Sequence, residues 1–420
     1  LSQAKLEKKF PSYLQASVKY DIYPGEDLIL AACTGFAAYL IQQYGYEKYM
    51  ELWRECGNIH LYFTAGIFYR VYGISLHNLW KEFEESVPLP KDLDYMEEMR
   101  KCTTVLFENN NESLYKQILL TPYGLLWYDD IKHEVDILDL NNKTMKIKLL
   151  FFAEEIQRMS LSEDGRYVVI SFNQIDTEIE FKKKTAWVYD LKNRKFYDCD
   201  FALRDATMIT MASGERGIAG VSVRDKTASL EVYSFPENND DVKLLFQKKF
   251  KKNIIPSSLV YAGEGKVSYI LSVNGVQKLA QMDLQTRQEK IREIRNSDGE
   301  TVNLRNLHYL NSKAGFKIKN FDSQNVYTFQ YVPKNEAAFT RMGTVVLSEN
   351  FEPVSISLQT KDLYGGVNDP VIYGENIYFC SNELADNRLC CIKSDYIDFV
   401  QIPVTLYSEE ANEYVPSELL

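Results

Sequence analysis

The chain has 420 residues, 45% hydrophobic and 25% charged, an ordinary globular composition with material for two or more cores. Its 48 Lys and Arg against 59 Asp and Glu leave a formal charge of -11, which argues against a nucleic-acid or anionic-membrane partner, since either wants a basic face. The longest apolar stretch, Leu28 to Ile41, is interrupted by Thr34 and Gly35 and too short to span a bilayer, so no transmembrane segment is expected.

The chain begins at Leu1 without a basic-then-apolar leader, which reads as a processed product or an excised region of a longer protein. Seven cysteines (Cys33, Cys56, Cys102, Cys199, Cys380, Cys390, Cys391) show no Cys-x-x-Cys spacing, so zinc ribbons and redox motifs are not expected. They read as small buried apolar residues. Adjacent Cys390 and Cys391 point to opposite faces of a strand.

The first hundred residues read as helical. Glu26 to Gln43 is apolar on more than one face, carries Glu26 and Asp27 in its first turn and stops at Gly45. Tyr46 to Cys56 spaces Tyr49, Met50, Leu52 and Trp53 amphipathically and ends at Gly57-Asn58. A third helix runs from about Leu61 to Tyr72, with Gly73 as its stop. Ser75 caps a fourth, with Ile74 and Leu79 placed as a hydrophobic staple and Leu79, Trp80 and Phe83 as its buried stripe. Pro88 and Pro90 end it.

The words Thr34-Gly35-Phe36-Ala37-Ala38-Tyr39-Leu40, Tyr44-Gly45-Tyr46-Glu47-Lys48, Phe68-Tyr69-Arg70-Val71-Tyr72-Gly73-Ile74-Ser75-Leu76 and Leu79-Trp80-Lys81-Glu82-Phe83 carry a resemblance. They resemble the C-terminal helical part of zinc metallopeptidases of the gluzincin (MA clan) type, including aminopeptidase-N-like and bacterial envelope relatives. That family binds zinc through His-Glu-x-x-His and a later Glu. This chain has neither: His60, His77, His133 and His308 are its histidines, and His133-Glu134-Val135-Asp136-Ile137 lacks the second His and lies in a predicted strand. The family's Tyr near the start of the matching helix falls at Ala31 or Ala32, with Tyr20 and Tyr23 as its possible substitutes. The resemblance therefore implies no zinc, no cofactor and no catalytic residue in this chain, zinc belonging to a longer parent protein, or else a degenerate peptidase scaffold.

From about Cys102 the pattern changes to short strands. Hairpin tips recur at Tyr123-Gly124, Asp164-Gly165, Arg216-Gly217, Glu264-Gly265, Ala314-Gly315 and Glu375-Asn376, at intervals of 41, 52, 48, 50 and 61 residues. That is the length of a four-stranded propeller blade. Asp139-Leu140-Asn141-Asn142-Lys143, Asp190-Leu191-Lys192-Asn193-Arg194 and Asp283-Leu284-Gln285-Thr286-Arg287 repeat an Asp-Leu turn, placed between the third and fourth strands of blades one, two and four. The fold class is therefore α + β multidomain, an α-helical domain over residues 1–100 followed by an all-β propeller of six four-stranded blades over 101–407 and an acidic tail over 408–420. The best repeat word, Ser160-Leu161-Ser162-Glu163-Asp164-Gly165-Arg166-Tyr167, resembles TolB-type propellers, which implies a protein or peptide partner and an extracytoplasmic or periplasmic setting in a bacterial cell envelope. Seven cysteines sit awkwardly there and keep a cytoplasmic setting open. Ring closure is assigned to Thr103 to Phe107 pairing with the last blade, near Phe399 to Val404.

Binding residues are sought on the long inserts, because loops converge at a channel mouth while strands hold the ring. Asn173 to Lys184, Pro333 to Arg341 and Lys361 to Asp369 supply Asn173, Asp176, Glu178, Phe339, Arg341, Tyr364 and Asn368 as candidates. The paired acids Asp129-Asp130 and Asp240-Asp241 lack a calcium-loop frame, and no Gly-x-Ser-x-Gly or Walker motif is present. Two functions follow. One is a non-catalytic C-terminal region of a metallopeptidase-like envelope protein whose propeller binds or filters peptide. The other is a protein-interaction adaptor on a degenerate peptidase scaffold.

Overall fold

The computed structural model describes the chain outside residues 18–25, 58–63, 108–114, 141–146, 154–155, 176–181, 198–202, 225–226, 236–241, 253, 311–324, 334–338, 384–385 and 404–420. It forms two compact units, one built on Leu1–Leu93, the other on Asp94–Lys334, Phe339–Asn382 and Asp386–Leu420.

The first unit contains α1 (Ser2–Leu6), α2 (Tyr13–Ser17), α3 (Glu26–Tyr44), α4 (Tyr46–Gly57), α5 (Thr64–Tyr72) and α6 (Leu76–Ser86). Its last four helices are those the apolar spacing predicts; the two short leading ones carry no periodic signal. Gly73 ends α5 at φ +74, a backbone that L side chains rarely adopt, with its N–H on the Tyr69 carbonyl at 2.8 Å. The core is aromatic: Phe36 from α3 lies 4.8 Å from the Trp80 ring and 5.5 Å from that of Phe83, both on α6. Trp80 is held by its Nε1–H donating to the Pro11 carbonyl at 2.8 Å. Ser75 caps α6, its Oγ accepting from the Asn78 N–H at 3.2 Å. Ser75→Ala should therefore lower the stability of this unit by about 1 kcal/mol. An unchanged thermal midpoint would place the helix start elsewhere.

The second unit opens with α7 (Leu93–Cys102), which buries Met96 and Met99, and continues into β1 (Thr104–Phe107). Blade one is β2 (Tyr115–Thr121), β3 (Gly124–Asp129), β4 (Glu134–Leu138) and β5 (Ile147–Phe152). Blade two is β6 (Ile156–Leu161), β7 (Tyr167–Ile175), β8 (Lys182–Asp190) and β9 (Lys195–Tyr197). Blade three is β10 (Arg204–Thr210), β11 (Arg216–Arg224), β12 (Thr227–Ser234) and β13 (Leu244–Lys249). Blade four is β14 (Pro256–Tyr261), β15 (Lys266–Val273), β16 (Val276–Asp283) and β17 (Glu289–Arg292). Blade five is β18 (Leu304–Leu310), β19 (Asn325–Tyr331), β20 (Arg341–Leu347) and β21 (Pro353–Gln359). Blade six is β22 (Asn368–Tyr373), β23 (Asn376–Glu383) and β24 (Asp386–Lys393), and β25 (Phe399–Ile402) follows.

Every blade is an antiparallel meander in chain order, and the ring closes by β1 joining blade six as its outermost strand. Closure thus uses the expected strand on the expected last blade, but its pairing is with β24 and not with residues 399–404. Thr104 and Val105 pair with Cys391 and Cys390 of β24, whereas β25 pairs with β21 as a fifth strand on blade five, Ile356 opposite Ile402. Alternation along each strand supplies both neighbouring interfaces. On β3, Leu125 and Trp127 pack towards blade six while Leu126 and Tyr128 pack towards blade two. Cys390 and Cys391 divide in the same way.

The Asp-Leu turns explain their own sequence. Asp190 accepts from the Lys192 and Asn193 N–H groups at 2.9 and 3.0 Å and from Arg166, while the Leu191 N–H donates to the Arg166 carbonyl at 2.9 Å. Asp283 repeats this with Gln285 and Thr286, and the Leu284 N–H reaches the Gly265 carbonyl. The tips hold in four blades; in blade three the turn is at 212–215, ahead of Arg216-Gly217, and Ala314-Gly315 lies outside the described residues. His133 sits in the turn before β4 at φ +56 rather than in a strand.

Candidate functional site

The innermost strands, β2, β6, β10, β14, β18 and β22, converge on a central channel, and each breaks register once. The shifts lie at Lys116/Leu119, Ile156/Arg158, Arg204/Thr207, Ser257/Val260, Arg305/His308 and Asn368/Val371. Five of them hold a non-glycine residue at positive φ: Gln117, Asp205, Ser258, Asn306 and Asp369. A bulge of this kind re-aims side chains, and strained backbone recurring at one level of a ring is a reason to look there for function.

What the bulges build is a polar layer across the channel. Asp369 accepts from the Gln117 N–H and from Asn306 Nδ2, each at 2.9 Å. Gln117 Oε1 accepts from the Met159 N–H at 3.2 Å, tying blade one to blade two. Arg158 extends from blade two and donates through Nη2 to the Leu307 carbonyl of blade five at 2.7 Å. Burial lowers the affinity of the Arg158 guanidinium for its proton, and the carboxylates of Asp205 and Asp369 oppose that effect. Burial likewise raises the Asp369 carboxyl above the usual range, opposed by the Gln117 N–H and Arg158.

On the C-terminal side of this layer lies a cavity of about 80 Å³. Its walls are apolar: Leu119, Met159, Leu161, Val260, Leu310 and Val371. Arg158, Thr207 and His308 line its inner end, and the lining reaches Glu163, Tyr261 and Tyr309 at the outer end. Thr207 is wholly buried, Arg158 is 5% exposed and His308 8%, and among the described residues Thr207 Oγ1, Arg158 Nε and His308 Nε2 have no hydrogen-bond partner. Burial, with Arg158 beside it, pushes the His308 imidazole down to about 3, so the ring is neutral at ordinary pH. A base that protonates so low is a weak proton acceptor. The cavity's serine hydroxyls are occupied, Ser160 donating to the Ala206 carbonyl and Ser162 to Asp164, and the Tyr261 hydroxyl donates to the Thr210 carbonyl. The arrangement is suited to holding a hydrogen-bonding group.

The candidates from the long inserts lie elsewhere. In an up-and-down blade the turns after strands one and three share one face, and the loops after strands two and four share the other. The cavity runs towards the first face, with Gly165 of the β6–β7 turn on its lining. Gly165 has φ +65, and a Cβ there would overlap Pro122 of the neighbouring blade, so only glycine fits. The 333–341 and 361–369 inserts belong to the opposite face. There Arg341 is no surface ligand: its Nε donates to Asp362 Oδ1 at 2.7 Å in a buried ion pair. Tyr364 carries the Arg100 guanidinium 4.3 Å from its ring, and Phe339 abuts Gly366. Asn368 lies on β22 and donates to the Cys380 carbonyl at 3.2 Å. The side chains of Asn173, Asp176 and Glu178 lie outside the described residues. Among the described residues no group of three or more His, Cys, Asp or Glu is placed to hold a metal ion, and no helix is long and apolar enough to cross a membrane.

The funnel residues are not among the sequence candidates because they sit on strands, whereas the candidates were sought on loops. A signal was present: Gln117, Arg158, Ser258 and Asp369 each lie seven residues ahead of their blade's tip, at Gly124, Gly165, Gly265 and Asn376.

No family model matches the chain. A protein of Treponema pallidum (strain Nichols) described as uncharacterized is 28% identical over 179 residues, which is 42% of this chain and 16% of that protein, so the chain spans about one sixth of its relative's length. Among solved structures, TolB from Acinetobacter baumannii is similar in fold with a TM-score of 0.42 at 15% identity, over 62% of this chain and 58% of that one. A putative TolB from Agrobacterium tumefaciens gives 0.39 at 11% identity, over 68% and 92%. The β-propeller domain of the Trilobed protease from Pyrococcus furiosus gives 0.37 at 14%, over 70% and 82%.

Proposed function

We propose that the propeller is a binding module that receives a peptide or protein segment end-on in the funnel above Arg158. The observation that carries this reading is a cavity lined by all six innermost strands, apolar along its walls, closed at one end by the Arg158 layer and holding unpartnered polar atoms at that end. Buried polar atoms without partners cost about 1–3 kcal/mol each, so the three near this end favour water or a hydrogen-bonding ligand group in the adjoining space over an apolar one. About 80 Å³ accommodates several waters or one side chain, which favours insertion of a chain end or a protruding residue over threading.

The wider setting rests on the sequence words. The helical words favour a non-catalytic C-terminal region of a metallopeptidase-like protein, in which case this propeller presents or filters peptide, and the Ser160 to Tyr167 word favours an extracytoplasmic site in a bacterial envelope. If the helices are a scaffold only, the same funnel serves an adaptor. The test is equilibrium binding of a random hexapeptide pool to the full chain, with cleavage followed by mass spectrometry. Saturable binding with intact peptides is expected. An absence of saturable binding, or cleavage that a chelator abolishes, would overturn the reading.

A further inference from the structure

We infer that the outer edge of blade one, strand β5, docks an extended segment of another protein as a fifth antiparallel strand, and that this segment carries a lysine or arginine between apolar residues on the side of Glu134 and Asp136. The site is separate from the funnel, which lies on the innermost strands. Blade five shows the mode within this chain. There β25 pairs antiparallel with the outer strand β21, from Gln359 opposite Phe399 to Ile356 opposite Ile402, while the four-stranded blade beneath stays complete. Pairing of the same kind with a partner's strand supplies main-chain hydrogen bonds for affinity and alternate side chains for specificity.

Short strands and charges keep an edge from pairing. β9 has three residues and begins with Lys195, and β1 has four. β13 ends in Lys248-Lys249, and β17 places Glu289 and Arg292 in ion pairs with Lys248 and Glu352. β5 instead reads Ile147-Lys148-Leu149-Leu150-Phe151-Phe152, six residues with one charge, and among the described residues no strand pairs with its outer side. Phe151 anchors it, buried with its ring 4.7 Å from that of Tyr189 in blade two. Leu149 lies opposite Asp136 and Phe152 opposite Glu134, so these four share the other face of the sheet. On that face Leu149 is 47% exposed and Phe152 65%, apolar surface ready to be covered by a neighbouring strand.

The charges on this face select the partner. Lys132 lies 3.9 Å from Asp129, whereas Glu134 and Asp136 have no hydrogen-bond or ion-pair partner among the described residues. Burial raises the Asp136 carboxyl to about 6, with Glu134 and Asp129 adding to it against Lys132. The adjoining Asp130 is paired with Lys116, and Lys148 lies on the opposite face, across from Ile137. Three carboxylates against one ammonium call for a further cation. Strands two apart in a sheet are separated by about 9.5 Å, which a lysine or arginine spans with its stem on Leu149 and Phe152 and its head at the carboxylates. A second copy of this chain does not fit. Antiparallel pairing of β5 with β5 would bring another Glu134 and Asp136 to the same face, between chains of net charge -11.

The test is calorimetric titration of the full chain with capped heptapeptides, acetyl-Gly-Val-Thr-X-Thr-Val-Gly-amide, in which X is Lys or Glu and lies on one side with both valines. The Lys peptide is expected to bind about tenfold more tightly than the Glu peptide. A Lys peptide with both threonines replaced by proline, which cannot donate to a strand, should not bind. Glu134→Gln combined with Asp136→Asn should bring the Lys and Glu peptides to within about twofold of each other. Hydrogen exchange should show the Lys peptide slowing the amides of residues 147–152. Should the double variant fail to melt cooperatively, the ranking and the exchange map on the unaltered chain decide. Equal binding of Lys and Glu, binding of the proline peptide, or slowing confined to the innermost strands would overturn the inference. Dimerisation of the unaltered chain that Leu149→Lys abolishes would also overturn it, by giving the edge to a second copy. No binding at β5 removes the inference and leaves the end-on reading of the funnel standing, because the two sites lie on different strands.

Discussion

Replacing Thr104-Val105-Leu106-Phe107 with Gly-Ser-Gly-Ser is expected to lower the stability of the propeller by about 4 kcal/mol in urea denaturation. β1 supplies the outer edge of blade six through the Thr104–Cys391, Val105–Cys390 and Phe107–Leu389 pairs. Val105 packs with the cluster between blades five and six, and Leu106 and Phe107 with that between blades six and one. The Phe107 ring lies 5.3 Å from that of Trp127, one of the largest wholly buried side chains. Losing the strand therefore weakens two interfaces at once and exposes β24 as an edge. The comparison is the same replacement of Phe399–Ile402, where only Ile402 is buried and the four-stranded blade beneath is already complete. That change should cost no more than about 2 kcal/mol. Equal losses from the two, or no loss from the first, would show that β1 does not close the ring.

The two strands also show how far sequence reaches. Thr104–Phe107 and Phe399–Ile402 are both short apolar runs near a terminus, and periodicity identifies each as a strand without naming its neighbour. Partner choice depends on which blade still lacks an outer strand, a property of the whole ring. The blade count was legible because turns demand particular residues: a glycine at φ +65 beside Pro122, or an aspartate that collects the N–H groups of Lys192 and Asn193. The helix ends at Gly73 and Ser75 were legible for the same reason. The funnel was not. Arg341 and Arg158 are both single arginines in apolar surroundings, and local sequence does not separate the one that joins Asp362 at a blade's edge from the one that crosses the channel. The bulges at Gln117, Ser258 and Asp369 depend on six strands meeting at one axis, so only the spacing from the tips records them.

Arg158→Met should lower stability by about 3 kcal/mol or more near neutral pH, with a loss that shrinks in acid. The substitution keeps most of the side-chain volume while removing the donor to Leu307 and the positive charge beside Asp205 and Asp369. The sign of the pH dependence follows from Asp369. Burial raises its carboxyl in the folded chain, against the Gln117 N–H, Arg158, Asn306 and Lys116, which all favour the charged form. A carboxyl raised on folding keeps its proton to higher pH in the native than in the unfolded chain. It therefore weakens the fold progressively as pH rises from the unfolded value, about 4, to the folded one. Without Arg158 the folded value moves higher still, so the penalty continues to grow towards neutrality after it has levelled off in the parent chain. The gap between variant and parent should be smallest near about pH 4 and widen towards about pH 7. Combining Arg158→Met with Asp369→Asn should recover part of the loss and flatten its pH dependence, because the uncompensated carboxylate goes with its counter-charge. Urea denaturation of the parent, Arg158→Met, Asp369→Asn and the double variant at acid and neutral pH measures this directly. A gap that stays constant with pH would mean that Arg158 acts through the Leu307 carbonyl alone, and that the layer closing the channel is held by hydrogen bonding without a contribution from charge balance.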